Sequence, residues 1–255
     1  MEDMVESLFC RTCMIYIGTM NKYLTRNKVY ERLEPSKDAK KVYIYCEGED
    51  REVKYFKFFQ GFSSNINILP IANKGGKSDP LKLMEQAKAD FIGTDEERAK
   101  YILDSIDQHD EVWFVIDTDC WNEGNKIEAL RKFCVGQNDK MKSEAWKVAQ
   151  SNPCFEIWLY YHFFDKKPLD MEVSTYDSMK DFVNNKVPGG FDSRCMPIEI
   201  DTAIKNSKQL FSTSCEQPDL YCTELHLLGE VILPFIKGGL ERARNKKPIQ
   251  NPDKA

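Results

Sequence analysis

One run constrains this chain more than any other: Glu111-Val-Trp-Phe-Val-Ile116, closed by Asp117-Thr118-Asp119. A run this short, β-branched and aromatic, fits a strand covered on both faces better than a helix. Three more such runs stand in the chain. Lys41–Cys46 stops at Glu47-Gly48-Glu49-Asp50, Asn65–Leu69 alternates, and Ala145–Ala149 ends at Ser151-Asn152-Pro153. Helical patterns separate them. One carries Tyr55, Phe56, Phe58 and Phe59. The next is capped by Ser78 or Asp79, has Pro80 in its first turn and runs through Leu81, Leu83, Met84 and Ala87. Others are expected over about 95–108, near 125–135, and over the aromatic stretch 155–164. Strand and helix alternate four times, which predicts an α/β fold with a mostly parallel sheet flanked by helices.

The flanks read differently. Val5, Leu8, Phe9, Thr12 and Tyr16 recur at helical spacing, so residues 4–24 are expected to form a helix before a polar connector at 34–38. After Lys166 strand signals stop, and helices are expected at 177–186, 199–211 and 223–243, the last interrupted by Pro234. The implied organisation is an N-terminal helical segment over 1–40, an α/β unit over 41–165 and a helical C-terminal extension over 166–255.

Composition excludes little but bounds much. With 42% hydrophobic residues the chain is globular in character, and a net charge of -5 argues against a protein that coats duplexes nonspecifically. Nine cysteines and three histidines offer one C-x-x-C, Cys10 and Cys13, with nothing to complete a zinc site. The cysteines are expected to be reduced thiols of a cytoplasmic protein. No run reaches the roughly 20 apolar residues of a membrane span, and the first twenty residues are broken by acids and lack a basic start.

In open parallel sheets ligands bind beyond the carboxyl ends of the strands. Glu47 stands at the first such end, Asp117 and Asp119 at the third, and Ser151, Asn152 and Glu156 follow the fourth. In extended chain Asp117 and Asp119 share a side, with Cα atoms about 7 Å apart. Two close carboxylates repel unless a cation lies between them, and Mg²⁺ suits a few carboxylates plus water. A capped turn after a strand would use the same residue types. Asn73-Lys74-Gly-Gly-Lys77 is a candidate phosphate loop but lacks P-loop spacing. His162, set among aromatics, reads as a core histidine.

Four blocks carry a family likeness. They are Tyr45-Cys46-Glu47-Gly48-Glu49 with Glu52 and Tyr55-Phe56; Asp79-Pro80 with Leu83; Val112 through Asp119; and Ser151-Asn152-Pro153-Cys154-Phe155-Glu156-Ile157-Trp158-Leu159 with His162-Phe163. In this order they resemble the RloB family, which includes the second component of the AbiL abortive-infection system. The likeness is strong over about 41–165.

The resemblance implies a Toprim-like catalytic domain and a Mg²⁺-dependent nuclease, with Mn²⁺ as the alternative ion. In such enzymes a glutamate after the first strand and a D-x-D after the third hold the metal, roles that fall on Glu47, Asp117 and Asp119. Glu52 matches the second acid, and Glu156 is a further ligand or base. Lys74, Lys77 and Asn152 are the expected substrate contacts, with Lys186 another candidate lysine. The implied setting is phage defence, with an RNA or DNA substrate, a neighbouring ABC/AAA-type ATPase as partner, and self-association left open. The alternative is a catalytically silent Toprim-like subunit that regulates the ATPase, using the first helix and the aromatic helix at 155–164 as its interface. A phosphotransfer enzyme acting on nucleotides ranks third. Two departures stand out: Arg51 replaces the usual threonine, and Thr118 a usually basic residue.

Overall fold

The computed structural model describes residues 32–73, 79–94, 97–118 and 125–245. The expected first helix with Cys10 and Cys13, the lysines Lys74 and Lys77, and Asp119 lie outside these residues.

The order of elements is β1 (Lys40–Cys46), α1 (Arg51–Lys57), β2 (Ile66–Ala72), α2 (Pro80–Phe91), β3 (Glu111–Asp117), α3 (Lys126–Met141) and β4 (Trp146–Asn152). There follow α4 (Glu156–Tyr160), α5 (Asp170–Val173), α6 (Met179–Lys186), a 3₁₀ turn (Met196–Glu199), α7 (Ile200–Leu210), β5 (Thr213–Ser214), β6 (Gln217–Pro218), β7 (Cys222–Thr223) and α8 (Leu225–Asn245). The main sheet runs β2-β1-β3-β4-β7, its first four strands parallel and β7 antiparallel to β4. The predicted α/β architecture with a mostly parallel sheet is what forms.

β1 and β3 lie side by side in the interior of the sheet, which is why their sequences are apolar at nearly every position. Val42, Ile44, Cys46, Trp113 and Val115 face one layer, built from α1, α4, α6, α7 and α8. Tyr43, Tyr45, Val112, Phe114 and Ile116 face the other, built from α2 and α3. The strand order reverses direction at β1, and right-handed crossovers then put α1 and α3 on opposite faces. β2 is an edge strand, so Pro70, which has no N–H to donate, is tolerated within it.

Three expectations need correction. The segment 97–110 is not helical. Its carboxylates bind its own backbone instead: Asp104 accepts from the Asp107 N–H at 2.9 Å and Asp110 from the Asp104 N–H at 3.2 Å, bonds that compete with a helix. Ile102 and Ile106 are 84% and 70% exposed, so the segment buries no apolar face.

Strands do not stop after Lys166, because β7 joins the sheet beside β4, pairing Ser151 with Thr223 and Asn152 with Cys222. And α8 is continuous through Pro234, its buried face of Leu228, Ile232, Ile236 and Leu240 running past the proline. Among the described residues no helix is long and apolar enough to cross a membrane.

Candidate functional site

The chain leaves β1 toward β2 on one side and returns to β3 on the other. A crevice therefore opens at the carboxyl ends of β1 and β3, where doubly wound sheets bind ligands. Glu47 continues the β1 ladder by one residue, its N–H donating to the Val115 carbonyl at 3.1 Å. Its side chain is only 5% exposed, and Oε2 accepts the Asp117 N–H at 2.8 Å. Asp117 Oδ1 in turn accepts the Phe155 N–H at 2.8 Å. Two backbone amides thus orient two carboxylates and tie the ends of β1, β3 and β4 together.

Around this pair lie Glu52, Arg51, Cys154 and Glu156. Glu52 is buried at the start of α1 and nests on the turn after β1. A Cβ on Gly48 would stand 2.2 Å from Glu52 Oε2, so only glycine leaves that carboxyl its place. Burial, and then the Glu156 charge, push the Glu52 carboxyl above the usual carboxylate range, against hydrogen bonds from its own N–H and from Gly48 and the charge of Arg51. Arg51 Nη1 donates to Glu156 Oε1 at 2.7 Å. The departure from threonine therefore places a cation beside one of the site acids. Burial and the nearby Glu156 and Asp117 push the Cys154 thiol well above its ordinary value, so it is no thiolate nucleophile.

The other predicted residues are placed as follows. Asn152 donates through Nδ2 to the Pro218 carbonyl at 2.8 Å, which commits part of its amide to β6. Lys186 pairs with Glu172 at 3.2 Å, tying α6 to α5. Asp79 caps α2, accepting the Leu81 N–H at 2.9 Å, and its second oxygen meets Lys126 Nζ at 2.8 Å. Lys126, at the start of α3, is a lysine at the functional rim that motif reading passes over.

His162 is a satisfied core residue. Nδ1 lies 3.0 Å from the Trp158 carbonyl and must carry the proton, so Nε2 accepts from the Tyr55 hydroxyl at 3.1 Å. Burial lowers its pKa to about 3. In the aromatic stretch from Phe155, Phe155, Trp158, Tyr160 and Tyr161 are buried in the core, while Phe163 and Phe164 are half-buried.

Thr118 is turned to the opposite face from Asp117. Its N–H donates to Ser151 and Pro153 carbonyls at 2.8 and 3.0 Å, and its hydroxyl to the Ser151 carbonyl at 2.9 Å. Gln150 Nε2 donates to that hydroxyl at 2.8 Å.

Glu47 and Asp117 supply hard carboxylate oxygens of the kind Mg²⁺ takes while keeping several waters. Among the described residues no three His, Cys, Asp or Glu side chains gather as a metal site on their own. The third acid of the expected set, Asp119, lies outside those residues. The donor chemistry of the pair fits a divalent ion as two of its ligands.

A family model described as RloB-like protein matches residues 42–232. The chain belongs to the RloB-like family. The match begins in β1 and ends within α8, so it takes in the acid pair, Thr118 and β7 alike. No curated protein and no solved structure matches the chain.

Proposed function

We propose that the protein is a Mg²⁺-dependent nuclease of the Toprim type that cleaves RNA or DNA phosphodiesters as the effector of an antiphage system, working with an ATPase partner. The observation that carries this reading is the bond from the Asp117 N–H to the Glu47 carboxylate at the reversal of the strand order. It aligns two acids 70 residues apart in sequence at the rim where such sheets bind ligands.

When bound there, Mg²⁺ would supply Lewis acidity to the phosphoryl group. Glu47 and Asp117, with Asp119, would hold it. Glu52, its carboxyl pushed upward by burial and by Glu156, would act beside the pair in proton transfer to or from the reacting oxygens. Arg51, released from Glu156, would offer two parallel donors to a phosphate.

The experiment is cleavage of total RNA and of DNA by purified protein with Mg²⁺ or Mn²⁺, read by sequencing of the new ends. Wild type is expected to cut, with Glu47→Gln and Asp117→Asn each lowering the rate at least about 100-fold and thermal midpoints nearly unchanged. Equal cleavage by the double variant, or no metal binding by wild type, rejects the nuclease.

A further inference from the structure

On the face of the sheet away from Asp117, beneath the end of β3, lies a polar network drawn from four separate segments. Gln150 on β4 is fully buried, Thr118 is 6% exposed, and Glu224, between β7 and α8, is 9% exposed. Gln150 Nε2 donates to Thr118 Oγ1 at 2.8 Å, and Gln150 Oε1 accepts from Arg131 Nη2, on α3, at 2.9 Å. The same Arg131 nitrogen reaches Glu224 Oε2 at 2.7 Å, and that oxygen also accepts the Gln150 N–H at 2.9 Å. The Glu224 N–H returns to the Gln150 carbonyl at 2.9 Å. One residue on, Ser151 and Thr223 share a hydroxyl bond at 2.8 Å.

Such a network is a poor way to gain stability. An ion pair half taken from water loses in desolvation most of what attraction returns. Arg131 Nε is buried with no hydrogen-bond partner among the described residues, a further cost. What the network does supply is geometry. Thr118 and Asp117 are neighbours pointing to opposite faces, so anchoring the Thr118 hydroxyl and N–H fixes how the Asp117 carboxylate is turned.

We infer that Glu224, with Arg131 and Gln150, is a positioning residue that aims Asp117 through Thr118, so that the C-terminal part of the chain sets the geometry of the acid pair. This rests on the reading of Glu47 and Asp117 as metal ligands. Partners in the outer shell of a metal site have such an effect, weakening the metal by about 10- to 100-fold when removed.

The test is Mn²⁺ binding to the full chain by calorimetry at 20 °C, with thermal midpoints alongside. The variants are Asp117→Asn, Glu224→Gln, Gln150→Leu, Thr118→Val and Thr118→Ser. Binding is expected to vanish in Asp117→Asn and to weaken about 10-fold or more in Glu224→Gln, Gln150→Leu and Thr118→Val. Thr118→Ser, which keeps the hydroxyl, is expected to restore wild-type affinity.

A merely structural role would lower the midpoints and leave Mn²⁺ affinity at 20 °C untouched. If the network variants bind as wild type does while Asp117→Asn does not, the inference falls and the metal site stands. If Asp117→Asn binds like wild type, or wild type does not bind, both fall. Should Glu224→Gln or Gln150→Leu fail to fold, the contrast between Thr118→Val and Thr118→Ser decides.

Discussion

A carboxyl group 7% exposed beside a second carboxylate is held against its own electrostatics, and Glu52 is such a group. Its folded pKa lies above the unfolded value of 4.5. Between those two values the folded state binds more protons than the unfolded, so stability falls as pH rises through that window. Glu52→Gln removes the charge but keeps the shape. The metal-free variant is expected to be more stable than wild type at pH 8 and equal to it at pH 4, by urea denaturation at both. A gain that persists at pH 4 would assign it to packing instead.

The same residue marks a limit of sequence reading. Glu47 and Asp117 are legible because each ends an apolar strand. That Gly48 must lack a side chain for Glu52 to lie where it does depends on a contact across the turn that no pattern encodes. Arg131 and Glu224, 93 residues apart, are invisible for the same reason: each looks like an ordinary helix-surface charge until the fold joins them.

Among the elements, the four parallel strands and most helices were readable from period and capping, Asp79-Pro80 being the clearest start. The strands of two residues were not, since two residues have no period. The helix expected over 95–108 does not form because Asp104 and Asp110 bind nearby backbone N–H groups, turn chemistry that competes with a helix.

The packing of α8 gives a test at this scale. A Cβ at Gly239 would lie 2.6 Å from the Phe62 carbonyl oxygen, which already accepts Arg242 Nη2 at 3.1 Å. At Gly229 the close atoms belong to the Ile204 side chain, 2.7 Å away, which can rotate. Alanine gains about 1 kcal/mol of helix propensity at either site, while crowding a packed core costs about 1–3 kcal/mol. Gly239→Ala is expected to lose about 1–2 kcal/mol net and Gly229→Ala less, by urea midpoints. The reverse ranking would mean that α8 does not rest on the Phe62 backbone.

For the whole molecule, the C-terminal part is built into the core. Leu225, Leu228, Ile232, Ile236 and Leu240 are all buried in the layer that covers β1 and β3. Even at about 1.5 kcal/mol each they contribute roughly 7.5 kcal/mol, comparable to the about 5–15 kcal/mol that holds an ordinary domain together. Truncation after Leu210 is expected to abolish cooperative unfolding, and the full chain to unfold in one transition, by near-UV circular dichroism on heating. A truncated chain that melts sharply would show that the residues up to Leu210 fold without β7 and α8.

The margins of the sheet carry a last consequence. At one rim Pro70 deprives β2 of a donor, and at the other β7 offers two residues only. Neither rim is a good template on which a neighbouring molecule could extend the ladder. Among the described residues, the main sheet therefore offers no ready seam along which copies of this chain could polymerise strand by strand.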